Sequence, residues 1–157
     1  MRGICAVGLM QPKTNLNVGS VLRAGGAFGV KLVAVEGERY RKAPTDCTKQ
    51  YRHIPIVQGR LHDLVPYDCV PVAVDLINGA KSLHSYQHPE RAFYVFGPED
   101  GTLGKDVLAW CRDVIYIPTT GCLNLAGAVN VVLYDRTKKL AREERLMDKR
   151  TKESGWR

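Results

Sequence analysis

The sequence predicts an α/β domain built on a mostly parallel sheet, and three observations carry that prediction. Strand-sized apolar runs recur along the chain, at 3–9, 31–36, 70–76, 91–96 and 114–117. Between the first two lies a segment of helical period, the β-α-β rhythm that parallel strands need because they are joined by crossovers. Several strand ends run straight into loops rich in Gly, Asn and acidic residues, where open parallel sheets bind their ligands.

The elements follow in order. Gly3 to Leu9 is a buried strand, with Ile4, Ala6 and Val7 apolar and Cys5 compatible with burial. After the loop Gln11-Pro-Lys-Thr-Asn-Leu, Asn15 or Asn17 can cap a helix whose stripe is Val18, Val21, Leu22, Gly25 and Phe28 and whose stop is Gly29. Arg23 falls off that stripe, within two turns of the helix start. Lys31 to Glu36 is the second strand. Gly37 to Tyr51 is polar, basic and turn-like, Ile54 to Val57 is a short third strand, and Gly59 to Tyr67 is a short helix or an irregular loop.

Val70 to Leu76 is a further strand, with Pro71 tolerable near its start. Asn78-Gly79 turns the chain, and Lys81 to Tyr86 has helical character. The strand Arg91 to Phe96 runs into Gly97-Pro-Glu-Asp-Gly-Thr-Leu-Gly104, and Lys105 to Cys111 makes a short helix. The strand ending at Ile117 is broken by Pro118 and Gly121. Asn124 is a good cap for a last helix that runs to about Met147, apolar first and increasingly charged later.

At 157 residues, one domain with a real core is expected. The hydrophobic content of 45% is that of an ordinary globular protein, and no apolar run is long enough to span a membrane. The N-terminus lacks the order of a signal peptide, so the cytoplasm is the expected compartment. Five cysteines and four histidines are scattered without zinc-binding spacing, which argues for buried or half-buried thiols and against a metal. The net charge of +7 predicts attraction to polyanions. Nine Lys/Arg against four acids lie between Arg136 and Arg157, and a second basic cluster comprises Arg39, Arg41, Lys42, Lys49 and Arg52. Such runs also occur as simple solvated faces.

No dinucleotide fingerprint or Walker A sequence is present, because Gly25-Gly26 and Gly29 lie inside or at the end of the first helix instead of opening it. No nucleophile and base stand at a recognisable spacing. Three segments remain: Asn17-Val-Gly-Ser-Val-Leu-Arg23-Ala-Gly-Gly-Ala-Phe-Gly29, Val95-Phe-Gly-Pro-Glu-Asp-Gly101-Thr-Leu, and Ile117-Pro118 with Leu123-Asn124-Leu-Ala-Gly-Ala-Val-Asn-Val-Val-Leu-Tyr134. In order and spacing they resemble the three motifs of the SpoU (TrmH-type) branch of the SPOUT RNA methyltransferases.

That resemblance implies an α/β domain over 1–147, with helices on both faces of the sheet and a C-terminal trefoil knot, followed by a basic tail over 148–157. It implies S-adenosylmethionine as cofactor, a homodimer as the working unit, and methyl transfer to a ribose 2′-hydroxyl of tRNA or rRNA, with tRNA preferred. Arg23, Asn17 and Glu99 would be the catalytic residues. Asp75, Leu76, Gly97, Glu99, Gly101, Ile117, Cys122, Leu123, Asn124 and Ala126 would surround the cofactor. RNA would be held by Arg23, Arg39, Arg41, Lys42, Arg142, Lys149 and Arg150, and no metal or membrane is implied.

An ordinary guanidinium stays protonated, so Arg23 either loses a proton in a special environment or holds a phosphate while another group takes the proton. Cys122 stands where the family commonly has serine, and the loop from Pro118 to Leu123 is shorter than is usual. Two other readings therefore stay open: a catalytically silent knotted protein that binds or assembles RNA, and an enzyme of the same superfamily that methylates a base.

Overall fold

The computed structural model describes residues 3–140. Seven strands form one sheet in the order β3-β2-β1-β6-β4-β7-β5. They are β1 (Cys5–Met10), β2 (Leu32–Glu36), β3 (Ile56–Gln58), β4 (Val70–Val74), β5 (Lys81–Ser82), β6 (Ala92–Phe96) and β7 (Asp113–Tyr116). Every pairing is parallel. Three helices, α1 (Asn15–Phe28), α2 (Lys105–Trp110) and α3 (Leu125–Leu140), complete the described chain. The proposed domain boundary after residue 147 lies outside it.

The central strands are apolar at consecutive positions because both faces of the sheet are covered. Val7, Leu9, Val33, Tyr94, Phe96 and Ile115 point to the face packed by α1 and α3. Ala6, Ala34, Ala73, Phe93 and Val95 point to the other, covered by Leu61, Leu103 and Val107. The deepest apolar layer of α1 is Val18, Val21 and Leu22. Gly29 ends the helix at φ 72°, in the left-handed region that favours glycine.

The cap of α1 differs from expectation. Thr14 is the N-cap, its hydroxyl accepting from the Asn17 amide at 3.2 Å. Both asparagines that were candidates for this place have other partners: Asn15 accepts from the Arg41 amide, and Asn17 donates to Glu99. The third strand starts later than expected because the His53 amide bonds back to the Gln50 carbonyl at 2.8 Å, closing a 3₁₀ turn, the Ile54 amide bonds to the same carbonyl, and Pro55 has no donor. Residues 61–64 form a second 3₁₀ turn.

The segment 81–86 is not helical. It makes the two-residue edge strand β5 and then a single tight turn, in which the Tyr86 amide donates to the Leu83 carbonyl at 3.3 Å, and the carbonyls of Leu83, His84 and Tyr86 also accept from Lys139 Nζ at 2.6, 3.2 and 3.1 Å. Nearby, Arg136 donates to the carbonyls of Pro89 and Glu90 at 2.7 Å each. The return of the chain from the edge strand to the sheet centre is thereby fastened to the second half of α3. These two cations, counted in the sequence with a basic tail, point inward, and Arg136 is only 2% exposed.

Candidate functional site

The loops leaving β4, β6 and β7 converge at the C-terminal edge of the sheet around a cavity of about 370 Å³. That size suits a small organic ligand. Of the residues predicted to surround a cofactor, Asp75 and Leu76 come from the first loop, Gly97, Glu99 and Gly101 from the second, and Ile117, Cys122 and Leu123 from the third, and all of them line the cavity. Asn124 and Ala126 do not. Asn124 caps α3, its side-chain oxygen accepting from the Gly127 amide at 2.6 Å, and Ala126 packs toward the core.

The three loops are braced by their own polar groups. Asp75 accepts from the Leu103 amide at 2.9 Å, which ties the first loop to the second. Thr119 donates to the Gly121 carbonyl at 2.7 Å and shapes the third. Leu76 and Leu123, 78% and 41% exposed, form apolar lips. Phe96, Pro98 and Ala128 also line the cavity. Sequence reading passed over Phe96 and Ala128 because apolar residues at an element's end look like core.

The first motif meets the second through Glu99. Its two oxygens accept from the Asn17 side-chain amide and, at 3.2 Å, from the Lys13 backbone amide. Lys13 Nζ pairs with Asp100 at 2.6 Å, which holds the Asp100 carboxyl below the usual carboxylate range. Lys13 had no distinguishing signal in the sequence, since it sits in what reads as a plain connection. Arg23 is exposed on α1.

The basic segment after β2 is docked on the same end of α1. The Arg41 amide donates to Asn15 at 3.1 Å and Thr45 to the Leu16 carbonyl at 2.6 Å. Gly19 permits this approach, because a Cβ there would stand 2.3 Å from Thr45 Oγ1. Arg39, Arg41 and Lys42 are exposed beside the helix, and Lys42 lies 5.0 Å from the Tyr51 ring centroid. The structure thus brings this cluster to the Asn17 end of the site. Arg142, Lys149 and Arg150 lie outside the described residues.

Cysteine placement departs in part from expectation. Cys5 and Cys69 are buried and Cys111 is half-buried, but Cys47 and Cys122 are exposed. Burial pushes the Cys5 thiol up to about 11 and the Cys111 thiol up to about 12. Cys122 is exposed because it belongs to the cavity rim. Among the described residues, no group of three or more His, Cys, Asp or Glu is placed to hold a metal. No described helix is long and apolar enough to cross a membrane.

Solved structures resemble this fold closely. The SpoU methyltransferase AviRb from Streptomyces viridochromogenes, in complex with the cofactor AdoMet, is 19% identical over 94% of this chain, with a TM-score of 0.76. The chain spans 60% and 63% of AviRb's length in two structures of that protein. A TrmH/SpoU tRNA modifying enzyme of A. aeolicus is 18% identical, with 93% of this chain and 79% of that one covered and a TM-score of 0.80. A protein studied for the 2-OH methylation of C/U34 on tRNA is 25% identical, covers 88% of this chain and 97% of its own, and has a TM-score of 0.74. No curated protein sequence matches the chain. The SpoU rRNA methylase family does, over residues 5–134. This match takes in β1, all three cavity loops and most of α3, and the chain belongs to that family.

Proposed function

We propose that this protein is an S-adenosylmethionine-dependent RNA methyltransferase acting on a ribose 2′-hydroxyl, with tRNA as its substrate. The observation that carries the reading is the junction at Glu99, which fastens the Asn17 end of α1 to the mouth of the cavity. The donor set fits the cofactor: Leu76, Ile117 and Leu123 offer apolar surface, Gly97 and Gly121 leave backbone accessible, and Asp75 and Glu99 supply negative charge toward a sulfonium. When bound, S-adenosylmethionine would supply an electrophilic methyl group: the ribose oxygen would gain the C–O bond as the S–C bond breaks, a neutral thioether would leave and the hydroxyl proton would pass to solvent water.

The chain's residues then have mainly to align and orient. Exposed on α1, Arg23 is suited to hold an RNA phosphate. Asn17 is held for contact with the ribose, and Glu99, with both oxygens accepting hydrogen bonds, positions Asn17. The basic cluster of Arg39, Arg41 and Lys42 extends the phosphate-binding surface, and Arg142, Lys149 and Arg150, which lie outside the described residues, belong to the same reading by their residue type alone. The choice of tRNA rests on likeness in length and sequence to the protein studied on tRNA C/U34.

Two architectural features belong to the same reading. The bonds from Arg136 and Lys139 to segment 83–90 support a knotted C-terminus in which α3 is threaded past that segment. Leu16 on α1 and Val131 and Tyr134 on α3, all exposed, support a homodimer that buries this helical face. The experiment is transfer of labelled methyl from S-adenosylmethionine to total tRNA, followed by nucleoside analysis. Label in 2′-O-methyl nucleosides, reduced at least about a hundredfold by Arg23→Ala, is the expected result. Label in a base, or transfer untouched by Arg23→Ala, overturns it.

A further inference from the structure

We propose that a second cavity, across the 97–104 loop from the first, is a nucleotide subsite that holds an RNA residue flanking the methylated one. The inference rests on the RNA-methyltransferase reading and extends it to residues outside the three motifs. This cavity measures about 560 Å³ and opens at the ends of β1 and β2, where Met10, Gln11 and Glu36 line it. Its other walls rise from the edge of the second core cluster, where Trp110 packs against the layer that holds Leu61, Leu103 and Val107. Trp110 of α2 and His62 of the 3₁₀ turn stand with ring centroids 5.6 Å apart and planes at 81°. Arg60 and Lys105, both exposed, line the same space.

Each group matches one part of a nucleotide. A perpendicular aromatic pair offers a flat face with a second ring set against its border, which suits an unstacked RNA base whatever its identity. The guanidinium of Arg60 and the ammonium of Lys105 suit the phosphate. Asp106 supplies an acceptor for exocyclic amines. The frame is held in place: Glu36 accepts from the Leu61 amide at 2.7 Å, anchoring the Arg60–His62 stretch to β2, and His62 Nδ1 lies 3.0 Å from Asp63.

The two cavities share a wall. Pro98 lines both, and Gln11 at the second sits in the same loop as Lys13, whose amide bonds to Glu99 of the first. A single strand laid over that wall presents one ribose to Asn17 while the neighbouring base enters beside Trp110.

The sequence has two tryptophans, so Trp156→Phe leaves Trp110 as the only one. In that full-length background, total tRNA should quench Trp110 fluorescence. The pair Arg60→Ala/His62→Ala, both at exposed positions, should remove most of the quench and raise the tRNA concentration for half-maximal transfer by roughly tenfold or more. S-adenosylmethionine binding by calorimetry should not move, and Trp110→Phe should retain more tRNA affinity than Trp110→Leu. Methyl transfer that proceeds without quenching, and at unchanged tRNA concentration in the double variant, overturns the subsite and leaves the enzyme reading standing. Quenching that the double variant abolishes, in a protein that transfers no methyl group, upholds the cavity as a nucleotide-binding site but overturns the enzyme reading and with it the place beside a methylated residue.

Discussion

Both oxygens of Glu99 accept hydrogen bonds from the first-motif segment, so a change at this residue acts on the site through Asn17 and Lys13. Glu99→Gln replaces one acceptor with a donor facing other donors. A hydrogen bond to a charged group contributes about 1.5–3 kcal/mol, so transfer should fall by roughly tenfold to a hundredfold. Asn17→Ala should cost a similar factor, and the double variant little more than either, because the two residues act as a unit. Single-turnover transfer rates for the three proteins check this, and losses that multiply fully would disprove the coupling.

His88 makes a second residue-level prediction, about stability alone. Its ring is buried, with Nδ1 2.6 Å from the Tyr94 hydroxyl and Nε2 2.8 Å from Asp135. A carboxylate only accepts, so Nε2 carries the proton and Nδ1 accepts from Tyr94. Desolvation by burial lowers the His88 pKa, against the opposing pull of the Asp135 hydrogen bond. The unfolded chain then binds more protons in the window below the usual histidine value of about 6.5, and stability is lost as pH falls through it. The melting temperature should therefore drop between about pH 7.5 and 5.5, and His88→Gln, though less stable throughout, should show a flatter profile.

At the scale of elements, α3 depends on its cap. Asn124 satisfies the Gly127 amide at the point where the third loop leaves the cavity. Asn124→Ala should destabilise the protein by about 1 kcal/mol in denaturant unfolding, whereas Asn124→Asp, an equally good cap, should not. S-adenosylmethionine affinity should weaken in the alanine variant and be largely kept in the aspartate one. The same element shows what was legible beforehand. Asn124, Gly121 and the apolar run to Leu133 announce a loop and a helix locally, and the strands announce themselves because both their faces are buried. The segment 81–86 misled because its path is fixed at a distance, by pairing of β5 with β7 and by Lys139, which donates to three of its carbonyls from more than 50 residues away in each case. Likewise Asn15 and Asn17 read as caps because nothing local reveals Arg41 or Glu99 as their partners. The loops after β6 and β7 stand out locally because glycines and polar residues follow apolar strands, but the individual cavity-lining residues are named only through the motif resemblance. Lys13, His62 and Trp110 could not be found, since only the topology brings their partners near.

For the whole molecule, a net charge of +7 predicts that the proposed RNA affinity falls with salt. Replacing Arg39, Arg41 and Lys42 together by Gln should reduce the slope of log affinity against log salt by about 2, if each meets one phosphate of a single strand. Anisotropy titrations of labelled tRNA between about 50 and 200 mM salt measure it. An unchanged slope would return that cluster to an ordinary solvated surface.

Arg136 and Lys139 recognise only main chain in the 83–90 segment: the carbonyls of Leu83, His84, Tyr86, Pro89 and Glu90. Main-chain oxygens are the same whatever side chain they carry. The exposed positions His84 and Glu90 are therefore free to drift over evolutionary time without loosening the clasp, while the constraint is concentrated on the two cations. The forked geometry of Arg136 in particular cannot be supplied by lysine. A fastening of this kind leaves little trace in one of its two partners, and its history is written almost entirely in the other.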